Sequence, residues 1–327
     1  MHRLAAIALV SLLFMGSAQA ASWSDLRLGS AHAIVVDEAT GEVLLEKDGS
    51  TAAPIASLTK LMTAMVVLDA QQDPNEGLRI SEADIDTLKH TRSGVRVGTV
   101  LSRAALLELA LIASDNHAAS ALARHYPGGM DAFLAAVQQK IQTLGLASTL
   151  IEEPTGLSPH NRSSALDMVK VVRAAGGYPV ITDITSKRRH AVMVNGHVWA
   201  VKNTNSLVGS PGWNILTSKT GFTNEAGRCL SMRLQAAGRT VAVVLMGAMG
   251  SSERALDALN IRRWLAGEPP VTAVAAAPKG QRRQAAAQRK HAGVVQASVA
   301  ADAGTHLVIE RTAPSITIRE STADLGE

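Results

Sequence analysis

Two short alternating runs, Ala33 to Asp37 and Glu42 to Glu46, flank Thr40-Gly41 and predict two strands joined by a turn. The period then lengthens, and a helix is expected from Ser57 to about Ala70, ending before Asp73-Pro74. Ser102 can cap a second helix that is apolar on most sides through Leu106, Leu107, Leu109, Leu111 and Ile112, so this one should be buried. Phe133, Val137, Ile141 and Leu144 share one face of a third, which stops at Gly145. Ser164-Ala165-Leu166-Asp167 resembles a capping box and starts a fourth, ended by Gly176-Gly177. Strand patterns then return. Val192-Met193-Val194 and Val198-Trp199-Ala200 flank Asn195-Gly196, a hairpin turn. Ile215 to Lys219 is a further strand; Arg228 to Leu234 and Thr240 to Met246 flank Ala237-Gly238, and Ser251 to Leu265 closes as a helix. Strands at both ends with helices between them predict an α/β domain: an antiparallel sheet flanked by helices, with a mainly helical subdomain inserted.

The termini read differently. Arg3, the apolar stretch Leu4 to Phe14 and Ala18-Gln19-Ala20 form a secretory signal, with cleavage expected after Ala20 and Ala21 as the mature N-terminus. The apolar run is shorter than the roughly 20 residues a spanning helix needs. A periplasmic location follows. After Gly267, Glu268-Pro269-Pro270 breaks the pattern, and Ala273 to Val299 has no sustained apolar face. Lys279, Arg282, Arg283, Arg289 and Lys290 cluster there without an acid. The expected organisation is a signal peptide over 1–20, one catalytic domain over 21–267 and a low-complexity, disordered basic tail over 268–327, within which Leu307-Val308-Ile309 and Ile316-Thr317-Ile318 have strand character. The tail lacks the apolar face of a membrane-surface helix, so it is expected to make at most loose, salt-sensitive contact with an anionic surface.

Composition narrows the function. Aromatics are only 3% of the 327 residues and the net charge is +4, which argues against stacking on bases and against a phosphate-tracking surface; no nucleic-acid partner is expected. The 10 histidines form no H-E-x-x-H pair, His117, His125 and His160 read as helix or loop residues, and there is no phosphate loop, so neither metal nor cofactor is expected. Cys229 is the single cysteine and sits in a strand-like segment, which fits a buried structural thiol.

Three short motifs occur in order: Ser57-Leu58-Thr59-Lys60, Ser114-Asp115-Asn116 and Lys219-Thr220-Gly221. Taken singly, Ser57 could be a helix cap, the Ser114 segment a helix-end turn and Lys219 a solvated strand residue; the ordered set is much harder to obtain by chance. Ser57 and Lys60, three apart, share a helix face. A serine is a poor nucleophile until a base takes its proton, and a lysine becomes that base when burial and a second cation, here Lys219, lower its pKa. Ser114 is expected to bridge Lys60 and Lys219 and to pass a proton to the leaving amine. Asn116 offers an amide to the substrate backbone, Lys219 and Thr220 can hold a carboxylate, and Gly221 would let substrate lie against the strand. The backbone N–H groups of Ser57 and Phe222 would form an oxyanion hole.

On these motifs the chain resembles the low-molecular-mass penicillin-binding proteins. It is most similar to their D-alanyl-D-alanine endopeptidase branch, of the penicillin-binding protein 7 type. Ala56 to Ala64, His125-Tyr126-Pro127-Gly128-Gly129, Glu153-Pro154-Thr155-Gly156-Leu157-Ser158 and Leu216 to Asn224 carry the resemblance, which runs from about Ser30 to Leu265. It implies a β-lactamase/transpeptidase-like fold and hydrolysis of the D-alanyl-diaminopimelate cross-links of peptidoglycan through an acyl-serine. A D-alanyl-D-alanine carboxypeptidase and a non-catalytic peptidoglycan-binding protein are the alternatives. β-Lactams are expected to act as covalent inhibitors. Glu153-Pro154 looks like the glutamate-proline loop of class A β-lactamases, but the position four beyond Glu153 is Leu157 rather than asparagine, so a long-lived adduct is expected instead of drug hydrolysis.

Overall fold

The structure is a computed structural model that describes residues 26–194 and 196–271, together with strand residues 305–312 and 315–322. The expected signal peptide and basic cluster lie outside the described residues. In chain order the strands are β1 (His32–Asp37), β2 (Val43–Lys47), β3 (Ala53–Pro54), β4 (Gly77–Arg79), β5 (Val100–Ser102), β6 (Arg162–Ser163), β7 (Arg189–Val194), β8 (His197–Lys202), β9 (Asn214–Thr223), β10 (Gly227–Ala236) and β11 (Arg239–Ala248). The helices are α1 (Thr59–Asp69), α2 (Arg103–Glu108), α3 (Asn116–Arg124), α4 (Gly129–Thr143), α5 (Ala165–Ala175), α6 (Pro179–Thr185) and α7 (Ser251–Leu265).

Alternation along the central strands divides the domain into two cores. A five-stranded antiparallel sheet runs β2-β1-β11-β10-β9. Ile34, Val36, Ala242, Val244 and Met246 point into the helical layer with α1 and α5. Ala33, Val35, Val241, Val243 and Leu245 point to the other face, against Ala258 and Ile261 of α7. Both faces of β1 and β11 are therefore covered, which is why these strands read as nearly continuous apolar runs. The first and last parts of the domain meet in this sheet, and the segments between β2 and β9 form the helical subdomain, as anticipated.

The serine helix departs from its expected form. It opens with a tight 3₁₀ turn, Ala56–Leu58, before α1 begins. Every residue of α1 from Thr59 to Val67 is buried, including Lys60. The helix capped by Ser102, whose Oγ accepts from Ala105 N, widens into a π-helical turn over Leu109–Ala113 and ends at Ser114 in a left-handed conformation, φ 61°. Ser164 caps α5 as expected, accepting from Asp167 N at 3.1 Å.

The chain stays tied to α7 past the expected boundary at Gly267. Val271 N donates to Asn260 Oδ1 at 2.8 Å, and Arg263 pairs with Glu268 at 2.8 Å. The described residues divide into two units, one ending at Val271 and the other beyond it. In the second, β12 (Thr305–Thr312) and β13 (Ser315–Thr322) pair antiparallel, with Ile309 opposite Ile318.

Candidate active site

The 3₁₀ turn that presents Ser57 is gripped from two sides. Ala56 adopts φ 47°, a left-handed conformation costly for a residue with a Cβ. From one side, Gly156 (φ 82°) approaches so closely that a Cβ there would lie 1.9 Å from Ala56 O. From the other, a Cβ on Gly221 would lie 2.9 Å from Ile55 O and 3.2 Å from Ser57 N. Gly221 is thus required by this internal contact, a reason different from the substrate approach expected of it. Asn161, fully buried, completes the grip: its carbonyl accepts from Ile55 N at 3.0 Å and its amide donates to Glu153 O at 2.8 Å.

Lys60 stands one helical turn from Ser57 and is 1% exposed. Its Nζ donates to Ser57 Oγ at 3.0 Å, Asn116 Oδ1 at 2.6 Å and Thr155 O at 2.7 Å. Burial lowers its pKa to about 8, against the charges of Glu153, Asp115 and Asp86, which raise it. Two of the three partners can only accept. A neutral Lys60 would keep both with its two N–H groups and turn its lone pair to the Ser57 hydroxyl, which is the geometry of a general base.

Lys219, also 1% exposed, donates to Ser114 Oγ at 2.8 Å and to Thr220 O at 3.1 Å. Burial, then the charge of Lys60, then that of Arg254 lower its pKa well below the ordinary lysine value. Ser114 was expected to bridge both lysines; it bonds Lys219, while Lys60 is bonded to Asn116 instead. Asn116 also donates one amide N–H to Thr91 Oγ1 at 2.7 Å, which orients the amide and leaves its second N–H open. Asp115 accepts from Ala118 N at 3.0 Å, capping α3, and from Ser93 Oγ at 2.7 Å, which fastens the 93–95 segment beside the motif. The Thr220 hydroxyl donates to Thr204 Oγ1 at 2.8 Å.

Glu153 is saturated. One carboxylate oxygen accepts from Thr155 N at 2.7 Å and Thr155 Oγ1 at 2.6 Å; the other accepts from Gly156 N at 2.6 Å and Asn161 Nδ2 at 3.0 Å. Its task is to fold the 153–158 loop that delivers the Thr155 carbonyl to Lys60. Thr91, Asn161 and Thr204 carry no motif signal in the sequence; Thr155 lies in Glu153-Pro154-Thr155-Gly156, which offered the single clue.

β9 is the edge strand of the sheet, so the backbone following Lys219 borders the cleft. Phe222 is 45% exposed there, with the Arg228 guanidinium 3.5 Å from its ring centre. Across the cleft, the Asp86–Arg92 loop is wound on Asp86, which accepts from the backbone of Leu88, Lys89 and Thr91. Lys89 on this loop pairs with Glu225 in the β9–β10 turn. Cys229 is buried, and burial pushes its thiol up to about 11, an inert structural state.

Residues 18–250 match the family described as D-alanyl-D-alanine carboxypeptidase. The chain is 42% identical to a D-alanyl-D-alanine endopeptidase of Pseudomonas aeruginosa over 79% of its length and 83% of the relative's. It is 40% identical to a D-alanyl-D-alanine endopeptidase of Escherichia coli over 85% of its length and 90% of the relative's. In structure it resembles a D-alanyl-D-alanine carboxypeptidase from Mycobacterium tuberculosis, with TM-score 0.65 and 29% identity over 74% of this chain and 92% of that one. A Streptomyces DD-transpeptidase, TM-score 0.68 at 24% identity over 73% of this chain and 97% of that one, shares the fold.

Proposed function

Because the chain belongs to the D-alanyl-D-alanine carboxypeptidase family of penicillin-binding serine peptidases, we propose that it is a peptidoglycan DD-endopeptidase that opens D-alanyl-diaminopimelate cross-links through an acyl-Ser57. The observation that carries the acyl-serine reading is the bond between the buried Lys60 Nζ and Ser57 Oγ. Preference for cross-links rests on the two endopeptidase relatives.

The Lys60–Ser57 and Lys219–Ser114 contacts support the following steps. Neutral Lys60 takes the Ser57 proton as Oγ attacks the D-alanyl carbonyl carbon. The oxyanion is held by the N–H groups of Ser57 and Phe222. As the C–N bond breaks, Ser114 gives its proton to the leaving amine and takes one from Lys219. Water then attacks the ester, its proton returns to Lys219 through Ser114, and Ser57 regains its own from Lys60. Thr220 and Lys219, charged until it passes its proton to Ser114, hold the carboxylate beside the scissile bond, and loss of that charge helps release the product. A non-catalytic binder would need neither Lys60 nor Ser114. β-Lactams acylate the same serine, and with Glu153 saturated the adduct lacks a base there to activate water.

The chain carries out this work in the periplasm after cleavage following Ala20. Among the described residues no helix is long and apolar enough to cross a membrane. The test is incubation of the mature protein with cross-linked dimeric muropeptides and with pentapeptide monomers. Release of monomers from dimers, without loss of terminal D-alanine and abolished by Ser57→Ala, is the expected result. Loss of D-alanine with intact dimers would make the enzyme a carboxypeptidase.

A further inference from the structure

The acylation chemistry leaves one built feature of the edge strand unused. Phe222 and Arg228 are cross-strand partners in the β9–β10 pairing, so their side chains share a face. Stacking at 3.5 Å fixes the plane of the guanidinium without engaging its N–H donors. Among the described residues no carboxylate or carbonyl accepts from Arg228, whereas Arg124 and Arg233 are paired with Asp84 and Glu38. The acid nearest in sequence, Glu225, is taken by Lys89. The surrounding charge has the same sign: Arg254 has its pKa lowered by burial first, and the charge of Arg228 adds to that lowering. A half-buried guanidinium stacked on Phe222, with no protein acceptor, leaves its N–H donors free for an anion from outside the protein.

We infer that the Phe222–Arg228 stack is a subsite for a second carboxylate, carried by the leaving stem peptide beyond the residue whose amine is released. The inference rests on the DD-peptidase reading above. Its logic is chemical. When a terminal D-alanine leaves, it carries a single carboxylate, and Thr220 with Lys219 already claims that one. When a cross-link is cut, the leaving group is a whole stem peptide with further carboxylates. A guanidinium held flat by an aromatic ring presents its fork to such a group in bidentate geometry. Arg228 therefore separates the two substrates: it favours cross-links and contributes nothing to D-alanine release.

The experiment compares wild type with Arg228→Gln in three readouts: kcat/KM on cross-linked dimers, kcat/KM on pentapeptide, and the rate of acylation by penicillin. The expected result is a loss of about tenfold or more on dimers, the scale of one charge-assisted bidentate contact, with the other two readouts unchanged. Arg228→Lys, which keeps the charge without the fork, recovers part of the loss. Equal losses in all three readouts would mean that Arg228 only shapes the acylation site, and no loss on dimers would remove the subsite; either overturns the inference. If wild type itself leaves dimers uncut, the endopeptidase reading fails separately. The subsite is then decided by nuclear magnetic resonance titration with tetrapeptide monomer, which is the leaving product. Weaker binding both on Arg228→Gln and on amidating the monomer's carboxylates sustains it; equal binding overturns it.

Discussion

Lys60 sets the working pH of the site. With its pKa brought down to about 8 by burial, about one molecule in ten carries the neutral base at pH 7. Since the neutral form takes the Ser57 proton, acylation should rise about tenfold per pH unit up to pH 8 and then level off. A stopped-flow profile with penicillin checks this, and a rate that fell through that range would exclude Lys60 as the base. Glu153 opposes the shift, because its charge stabilises the Lys60 ammonium. Glu153→Gln should therefore move the midpoint to lower pH. The same variant tests the fate of the drug adduct: intact-mass measurements should find penicilloyl-Ser57 equally long-lived in both proteins, whereas a β-lactamase would lose its turnover. The contacts of Lys60 with Ser57 and Asn116, and of Lys219 with Ser114, join residues that the three motifs mark in the sequence. The Thr155 carbonyl has no such mark. It reaches Lys60 across 95 residues of chain and is a backbone group, for which residue type is silent.

Elements matter here chiefly by how they hold the Ser57 turn. Gly156→Ala would combine a positive φ, worth about 1–2 kcal/mol against a residue with a Cβ, with a contact of 1.9 Å to backbone. The expected outcome is a lowered Tm and acylation slowed by about tenfold or more. Gly221→Ala distinguishes two accounts of that residue. If the internal contact with Ile55 and Ser57 is its reason, Tm falls and small and large substrates suffer alike. If substrate approach were the reason, Tm would hold and the large substrates alone would suffer. The main helices and strands could be read from period alone. α3 escaped because its buried face is built on alanines, with Leu122 the one large apolar side chain in Asn116–Arg124. The widening at Leu109–Ala113 escaped because a π-helical turn uses the same residues an α-helix would; it shows itself only in where it leaves Ser114.

At the scale of the molecule, the proposed end of the catalytic domain belongs after Val271 instead of Gly267. A protein ending at Val271 should turn over soluble muropeptides like the full chain. One ending at Gly267 loses the Asn260–Val271 hydrogen bonds and the Arg263–Glu268 pair, and should melt a few degrees lower, on the order of 1–2 kcal/mol. Calorimetry on the two truncations checks both statements. The Lys89–Glu225 pair has a consequence of another kind. It fastens the loop behind Asn116 to the turn beyond β9, so two segments that border the site are bridged by one exposed ion pair. An exposed ion pair is weak and screened by salt, so thermal motion parts this bridge and remakes it: a clasp on the site, not a lock.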